Sequence, residues 1–462
     1  NLLCKQKQVI KMQKICIRNN GPVKYFEMEI EKFNLLIGEQ ATGKSTIAKS
    51  VYYFKTIKTK IADYLTQIYD TNSYHNMDQE NIWFDKAIKS ELKNIFIQLF
   101  GYSWDLNSEF YMKYDYAEDL WIQVQLKKGD RNRQYISVTY SKKLLGSIKE
   151  LQKEIRSMYH DKETIIQTSL VLTNEERKRN HEMIIRKVNS IFLDNKETYY
   201  IPAGRSLLTV MSNSRAVMSN IGGLDYITEM FMVLIDNVRN SFRDGVKKAH
   251  LFYPTEKKPF DIQTITDFIV NMEKGEYFYS GGREFLKIEK DTDHPVSINF
   301  ASSGQQEILW MLNFMYVLML RHENVFLIIE EPEAHIYPSL QKKIMEFITL
   351  FTNIQESGVF ITTHSPYILT VANNLYYAGV LSQEGQLKDV SKVINKNYMM
   401  KKGELSAYKL LNMFVESGEK NYIDLLDEEK REIRSSLIDD VSSQINELYT
   451  ALYDIELDNE QG

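Results

Sequence analysis

A glycine-rich segment near the N-terminus has the residue types and spacing of a phosphate-binding loop. Residues 38–46 read G-E-Q-A-T-G-K-S-T and fit G-x-x-x-x-G-K-[ST] at every fixed position. Glycines let backbone N–H groups surround a phosphate, Lys44 is placed to reach β- and γ-phosphates, and the Ser45 hydroxyl to bind Mg²⁺. The apolar run 33–37 before the loop and the helix-like sequence after it supply the required strand–loop–helix context. We therefore predict contacts with a nucleoside triphosphate, ATP, from Gly38, Glu39, Gln40, Ala41, Thr42, Gly43, Lys44, Ser45 and Thr46.

Two adjacent carboxylates follow an apolar run far downstream. The run 325–329, V-F-L-I-I, is typical of a fully buried parallel strand, and Glu330 and Glu331 come directly after it. Burying two neighbouring acids without a cation is costly, which favours a Mg²⁺–nucleotide site over a structural role or a solvated acidic turn. We expect Glu330 on the metal side, together with Ser45, and Glu331 to polarise the attacking water.

The order of four motifs resembles that of the ATP-binding-cassette (ABC) ATPases. Between the phosphate loop and the acidic strand lies A-S-S-G-Q (301–305), in the place of the signature L-S-G-G-Q; after the strand comes T-H-S (363–365), in the place of the switch histidine. Alone, each segment is more typical of a loop, a helix cap or a structural histidine. The resemblance implies that His364 acts in catalysis with Glu331. It also implies that the signature completes the ATP site of a second copy, in a homodimer or higher homo-oligomer, through Ser302, Ser303, Gly304 and Gln305.

Further segments resemble the RecF/SMC/OLD-type branch of that superfamily. They are E-E-P-E-A-H-x-x-P (330–338), T-T-H-S-P (362–366) and N-G-P (20–22); Y-I-P-A-G-R-S (200–206) also looks like a family element. The chain is most similar to the stand-alone "AAA family" ATPases of bacterial anti-phage systems such as Septu, PARIS and some retrons. One difference is that transporters usually carry Asp where Glu330 stands, although Glu also occurs in the OLD-like group.

The resemblance implies an α/β fold, an ABC-type ATPase head with a parallel central sheet, an antiparallel β-subdomain and an inserted helical region. Lys44 and Glu330 are far apart in sequence yet must share one nucleotide, so both parts of the chain build one head. We divide the chain into an N-terminal lobe (1–140), a helical insertion (141–200), a C-terminal lobe (201–400) and an acidic helical tail packed on the head (401–462). The alternating runs 121–126 and 135–140 predict a hairpin of the β-subdomain.

The insertion and the tail both show helical periodicity. Apolar residues repeat at 4-3-4-3 spacing within 144–158, and a second seam includes Ile184, Val188 and Ile191. These seams predict a short helical hairpin, either a stub of the coiled coil of SMC-like proteins or a plain packed pair. In the tail, the apolar spacing within 438–452 predicts an amphipathic helix.

Composition is that of an ordinary soluble globular protein, with 43% hydrophobic and 26% charged residues. The longest apolar stretch, 308–320, is short of the roughly 20 residues that span a bilayer, so we expect no membrane association. Two cysteines without metal or disulfide spacing fit a cytoplasmic protein. Residues 1–60 carry 12 lysines and arginines against 4 acidic residues, and 416–462 carry 14 acidic against 4 basic residues. This asymmetry leaves a nucleic-acid partner open without deciding it, since solvated faces explain it equally.

Three functions fit these observations. In the first, an ATPase of a defence system senses or scaffolds and controls a separately encoded nuclease or toxin. In the second, a RecF/SMC-like ATPase of DNA repair or chromosome maintenance binds DNA itself. In the third, the chain is a transporter subunit, which the long insertion and the 330–338 motif disfavour. After 364 no Asp-x-Asp occurs, and Glu384-Gly385 follows polar residues, so we expect no Toprim nuclease in this chain. The short insertion favours the first function.

Overall fold

The computed structural model describes residues 13–71, 80–101, 109–128, 134–166, 174–211, 224–253, 260–288, 294–411, 420–427, 429–434 and 450. The strands are β1 (Gln13–Asn20), β2 (Val23–Ile30), β3 (Phe33–Gly38), β4 (Tyr111–Ala117), β5 (Leu120–Lys128), β6 (Gln134–Tyr140), β7 (Glu197–Ile201), β8 (Glu276–Ser280), β9 (Arg283–Lys287), β10 (Val296–Ser297), β11 (Val325–Glu330), β12 (Gly358–Thr363), β13 (Leu405–Leu410), β14 (Tyr422–Asp424), β15 (Leu426–Asp427) and β16 (Glu432–Ile433). The α-helices are α1 (Lys44–Thr71), α2 (Glu80–Phe100), α3 (Lys142–Ile166), α4 (Asn174–Phe192), α5 (Arg205–Met211), α6 (Tyr226–Val238), α7 (Ile262–Glu273), α8 (Ser303–Leu320), α9 (Pro338–Ile354), α10 (Pro366–Leu381) and α11 (Leu387–Val390). Short 3₁₀ turns cover Arg239–Phe242, Val246–Phe252, Ile298–Phe300 and Lys396–Tyr398.

A six-stranded sheet with the order β14-β13-β3-β12-β11-β7 forms the centre of the molecule. Its strands β13, β3, β12, β11 and β7 are parallel, and β14 pairs antiparallel at the edge. Every residue of β3, β11 and β12 is buried, which explains why their sequences are largely apolar. The predicted parallel central sheet is confirmed. Because the strands are parallel, their carboxyl ends lie at one edge, where α/β proteins bind ligands.

An antiparallel sheet with the order β2-β1-β4-β5-β6 accompanies the central sheet. Strands β5 and β6 form the predicted hairpin, with Ile122 opposite Tyr140 and Lys128 opposite Gln134. Strands β1 and β2 form an antiparallel pair at the start of this sheet. Together with the parallel sheet, they confirm the predicted fold class. A three-stranded sheet β10-β9-β8 is a further element, which the sequence analysis did not predict.

Two hydrophobic cores lie on opposite faces of the central sheet, because side chains alternate along each strand. From β3, Leu35 enters the core with α8 and α9, whereas Leu36 enters the core with α1 and the antiparallel sheet. Helix α8 is buried along 306–320. The apolar stretch 308–320 therefore lies within a buried helix. No helix in the described ranges is long and apolar enough to span a bilayer.

The two helices of the predicted insertion, α3 and α4, pack on each other and on α1. Their described seam residues Leu144, Ile148, Ile184 and Val188 are buried in the core beneath the antiparallel sheet. The seam is thus a packing face of the head, the plain helix pair of the two alternatives. The range predicted as a helical insertion, 141–200, also contains most of β7, the edge strand of the central sheet.

The described residues after 401 differ from the predicted helical tail, because they form strands. Strand β13 pairs parallel with β3 and buries Leu405, Ala407 and Leu410. Tyr408 and Lys409 are only partly buried. Six residues of mixed polarity show no clear period, so the sequence did not predict this strand. The predicted helix over 438–452 lies outside the described residues apart from position 450.

Candidate functional site

The predicted loop, acids and histidine meet at the carboxyl edge of the central sheet. The phosphate loop follows β3, Glu331 follows β11, and His364 follows β12. Strand β7, next to β11, ends beside them and leads into Arg205. Four adjacent parallel strands thus deliver the side chains of one site.

The loop between β3 and α1 has the backbone that its glycines permit. Gly43 has φ +99°, and a Cβ there would lie 2.6 Å from Val23 Cγ2, so only glycine fits. Thr42 Oγ1 donates to Glu39 O at 2.8 Å and closes the turn. Glu39, Gln40, Ala41 and Ser45 are exposed. The loop therefore presents its backbone and the first turn of α1 to solvent, as phosphate binding requires.

Lys44 is almost fully buried at the start of α1, at 5% exposure. Its Nζ donates to the carbonyl oxygens of Gly38 and Glu39, at 2.7 and 2.6 Å. Burial lowers the pKa of Lys44 to about 8, against the opposing effect of the nearby carboxylates, among which Glu331 has the largest effect. Two carbonyl oxygens of the loop thus hold the ammonium at a position suited to phosphate oxygens.

His364 connects Lys44 with Glu331. Its Nδ1 lies 3.3 Å from Lys44 Nζ, and its Nε2 lies 3.1 Å from Glu331 Oε1. A neutral imidazole protonated on Nε2 satisfies both contacts, because Nδ1 then accepts from the ammonium and Nε2 donates to the carboxylate. The structure thus brings together the two residues predicted to be catalytic and the phosphate-loop lysine.

The backbone of Glu331 is in the left-handed region, with φ 42°. Non-glycine residues rarely adopt this conformation, and it persists where surrounding contacts fix it. Here the Glu331 N–H donates to Thr362 O at 2.9 Å, across to the end of β12. The conformation turns the chain sharply at the end of β11 and directs the carboxylate toward His364.

Glu330 has the environment of the magnesium ligand that the sequence predicts, and the Ser45 hydroxyl is exposed at the start of α1. Glu330 is buried at 7% exposure, and its Oε2 accepts from Ala203 N at 3.4 Å. The buried Tyr200 hydroxyl lies beside its carboxylate, but Oε1 has no hydrogen bond of good geometry in the described part of the chain. An unpaired buried carboxylate oxygen is costly unless a cation or water satisfies it. Carboxylate and hydroxyl oxygens are the hard ligands that Mg²⁺ prefers, and waters usually complete its shell.

Glu333 is a site residue to which the sequence analysis gave no role. Its Oε1 accepts from Thr363 Oγ1 and from the His364 N–H, both at 2.7 Å. It therefore fixes the end of β12 and with it the position of the histidine. Its place as the third acid of the E-E-P-E segment could have indicated a role. Its partners, however, lie at the end of β12, about 30 residues later in the sequence.

The signature segment lies at the N-terminus of α8, where Ser302 is the N-cap. Ser302 and Gln305 form a capping box, with Gln305 N donating to Ser302 Oγ at 3.3 Å and Ser302 N to Gln305 Oε1 at 3.0 Å. Ser302 and Ser303 are exposed, and a Cβ on Gly304 would lie 2.9 Å from His335 O. Among the described residues, no hydrogen bond joins this segment to Lys44, Glu331 or His364. The signature thus presents a helix N-terminus to the surface.

Arg205 is the second residue that the sequence analysis left unassigned. It is fully buried at the end of the Y-I-P-A-G-R-S segment, and its guanidinium donates to main-chain carbonyls of Glu330 and Glu331. The signal for it was the arginine after a β-rich run and a Pro-Ala-Gly turn. These two carbonyls lie at the end of a strand that is distant in sequence, which no sequence pattern identifies.

Solved structures align with most of this chain at low sequence identity. The SMC head domain from Thermotoga maritima aligns over 90% of this chain and 100% of that chain, with 8% identity and a TM-score of 0.36. The recombination mediator protein RecF-ATPrS of the RecFOR pathway aligns over 90% of this chain and 98% of that chain, with 10% identity and a TM-score of 0.29. Curated proteins give no match. A family model described as "AAA ATPase domain" matches residues 11–369. The predicted nucleotide-dependent ATPase family is thereby confirmed: this chain belongs to the AAA ATPase domain family.

Proposed function

We propose that the chain is a Mg²⁺-dependent ATPase whose nucleotide cycle controls a separately encoded nuclease or toxin in bacterial anti-phage defence, in the cytoplasm. The observation that carries the ATPase part is the contact series Lys44–His364–Glu331 beside the phosphate loop. In this series a cation for the phosphates contacts a histidine, and the histidine contacts a carboxylate. That set of groups is suited to phosphoryl transfer to water.

Each residue has a separate part in the proposed reaction. Lys44 and the loop N–H groups bind the phosphates, and Glu330 with Ser45 would hold Mg²⁺, which supplies charge neutralisation to the phosphate oxygens. The Glu331 carboxylate accepts a proton from the attacking water. His364 holds that carboxylate in place through its Nε2–H and keeps its second nitrogen toward Lys44. Glu333 fixes the His364 backbone, so its contribution is indirect.

We further propose that the site is completed by the signature of a second copy. Ser302 and Ser303 are exposed, and the three motif regions carry unusually exposed aromatic side chains: Phe300 at 84%, Tyr337 at 78% and Tyr367 at 54%. Large exposed aromatic residues are enriched at protein interfaces. In this arrangement the N-terminus of α8 from one copy faces the γ-phosphate held by the other, where the helix dipole favours negative charge.

The effector part of the proposal rests on the resemblance to stand-alone defence ATPases and on the form of the insertion. Helices α3 and α4 are packed into the head, which disfavours the long DNA-tethering arm of SMC proteins. ATP turnover in such a head opens and closes it, so biological work requires a client whose state this motion changes. The DNA-binding function remains the second candidate, supported by the basic character of residues 1–60.

Turnover measurements test the ATPase part. We expect the purified chain to release phosphate from ATP in Mg²⁺ and to lose this activity in EDTA. Lys44→Ala should abolish ATP binding, because the phosphate charge is left uncompensated in a partly desolvated site. Lys49→Ala, which changes another lysine of α1, is the matched control and should bind normally. Normal ATP affinity in a folded Lys44→Ala protein would contradict the proposed site.

Co-expression with the neighbouring genes tests the effector part. We expect a nuclease or toxin to co-purify in a complex whose activity changes when Lys44→Ala replaces the wild-type chain. Double-stranded DNA added to the pure protein separates the two candidates. Stimulation of turnover of about tenfold or more by DNA alone, with no co-purifying effector, would favour the DNA-maintenance function instead.

A further inference from the structure

A single buried arginine connects the signature helix with the backbone of the proposed catalytic acid. Arg205 is 0% exposed, at the start of α5. Its Nη1 donates to the carbonyl oxygens of Pro202 and Glu330, both at 2.7 Å, and its Nη2 donates to that of Glu331 at 2.9 Å. One guanidinium therefore holds three carbonyls at the carboxyl ends of β7 and β11.

These bonds fix the peptide groups on both sides of Glu331. The Glu330 carbonyl belongs to the peptide before the Glu331 Cα and the Glu331 carbonyl to the peptide after it. Two planes fixed at one Cα determine φ and ψ. Since Glu331 has φ 42°, in a region that non-glycine residues avoid, the contacts that hold these planes also maintain the strained turn and the direction of its carboxylate.

The other side of Arg205 faces α8. Its Nε donates to Glu307 O at 2.8 Å and lies 3.4 Å from Glu307 Oε2. The Glu307 carboxylate also accepts from the backbone N–H groups of Arg205 and Ser206, at 3.0 and 3.1 Å. Glu307 is itself 0% exposed and lies one turn after the exposed Ser302. The pair is thus a satisfied buried ion pair between α5 and the signature helix.

We propose that Arg205 is a positioning residue that transmits the position of the signature helix to the orientation of Glu331; this rests on the proposed ATPase function. Glu307 ties the signature helix to Arg205, and Arg205 ties it to both peptide groups that flank Glu331. Hydrolysis then depends on this connection, whereas ATP binding to the phosphate loop does not.

Arg205→Lys tests this proposal, because lysine keeps the charge but loses the planar fork that reaches two carbonyls and Glu307 at once. We expect kcat to fall about 10²-fold, the scale of a small misplacement of a reacting group, while the ATP Kd stays within about threefold. Arg239→Lys is the matched control. Arg239 is equally buried, at 5% exposure, and pairs with Asp236 and Glu284 away from the site. It should leave kcat unchanged even if both variants unfold at lower temperature.

Glu307→Gln weakens the same connection on the α8 side. It is the second test, for the case that Arg205→Lys does not fold. It should give the same separation of kcat from Kd, and the double variant should be no slower than the more severe single variant, since both remove one connection. Folded variants with wild-type kcat, or a kcat loss matched by Arg239→Lys, would overturn the proposal. A wild-type chain whose turnover equals that of Lys44→Ala would instead overturn the proposed function itself.

Discussion

Glu331 is constrained at its side chain by His364 and at its backbone by Thr362 and Arg205. Glu331→Gln keeps the size and these constraints but removes the group that accepts a proton from water. We expect ATP binding to remain and kcat to fall about 10²–10⁴-fold, the usual contribution of a general base. Phosphate release under saturating ATP measures kcat. Glu356→Gln is the control, because Glu356 is an exposed glutamate near the opposite edge of the sheet.

The alternative assignments give different results in the same assay. Unchanged turnover in Glu331→Gln would move the catalytic role to Glu330 or His364. His364→Ala should also slow hydrolysis with ATP binding kept, because its loss frees the Glu331 carboxylate and leaves the Lys44 contact unmade. A His364 variant with full turnover would show that the contact series is structural.

The pKa of Lys44 makes ATP binding dependent on pH. Burial lowers this pKa from 10.5 to about 8, so the folded protein without nucleotide loses the Nζ proton near pH 8. The phosphates require the charged form, so ATP binding takes up a proton above pH 8. We expect the ATP Kd to be constant below about pH 7 and to rise by up to about tenfold per pH unit above 8.

Titration calorimetry at several pH values, in buffers of different ionisation enthalpy, measures both the Kd and the proton uptake. Lys196→Gln is the control, because burial also lowers the pKa of Lys196 to about 8, beside Glu197 at the opposite end of β7. That variant should keep the pH dependence of binding. A Kd independent of pH between 7 and 9.5 would contradict the assigned environment of Lys44.

The same pKa has a consequence for folding. The folded-state pKa lies below the unfolded value, so between about pH 8 and 10.5 the unfolded chain binds more protons than the folded chain. The contribution of Lys44 to the free energy of unfolding therefore rises with pH through this window.

The sequence predicts the role of a residue when that role depends on a short local pattern. Lys44 and Ser45 belong to one loop, and Glu330 and Glu331 end one apolar run, so their neighbours in sequence indicate their chemistry. Arg205 and Glu333 differ, because each acts on backbone atoms of another strand. Only the register of the folded sheet brings such partners together, so no single-sequence pattern could have assigned their contacts.

Among the elements, helix α10 passes close to the segment before β13 at Gly379. A Cβ there would lie 1.8 Å from Met400 O, a backbone atom that cannot move aside cheaply. Gly379→Ala should therefore destabilise the fold by about 1–3 kcal/mol or more, as overpacking does. Gly146→Ala in α3 is the matched change, because no atom lies within 4 Å of its Cβ. Alanine there should stabilise the protein by about 0.5–1 kcal/mol through helix propensity.

Thermal unfolding midpoints of the two alanine variants should shift in opposite directions. Equal midpoints would contradict the close crossing of α10 over 399–401. This crossing could not be predicted from the sequence. A buried helix with Gly379 is predictable from its apolar residues, but which neighbour requires the glycine depends on where β13 joins the sheet.

The order of the elements was only partly predictable, for physical reasons. Strands β3, β11 and β12 are buried on both faces, so their largely apolar sequences predict them. Strand β13 pairs with β3 but contains Ser406 and Lys409 among its six residues, so it carries no such signal. Helices α3 and α4 were predicted from their periodicity, whereas their position against α1 depends on packing that periodicity does not specify.

At the scale of the whole molecule, no hydrogen bond among the described residues joins the two halves of the proposed ATP site. The phosphate loop, Glu331 and His364 form one cluster, while the signature is an exposed, self-capped helix N-terminus. One chain carries one of each, so two copies would form two composite sites, each using the phosphate loop of one copy and the signature of the other. This geometry predicts complementation between different inactive variants.

Lys44→Ala and Ser302→Asp are suitable partners for a mixing experiment. Aspartate remains a good N-cap for α8 but places a negative charge toward the other copy's γ-phosphate, so Ser302→Asp should be folded and inactive. Ser302→Asn, also a good cap but neutral, should keep most activity and is the matched control. In a mixed dimer both lesions fall on the same composite site, which leaves the other site intact.

We therefore expect the mixture of two inactive proteins to recover turnover, up to about one quarter of the wild-type rate. At equal concentrations half of randomly assorted dimers are mixed, and each mixed dimer keeps one of two sites. A mixture of Lys44→Ala with the double variant Lys44→Ala/Ser302→Asp contains no intact phosphate loop and should stay inactive. Recovery in the first mixture but not in the second would place Ser302 across the interface from Lys44. Absence of recovery, in proteins shown to exchange subunits, would mean that each chain completes its own site.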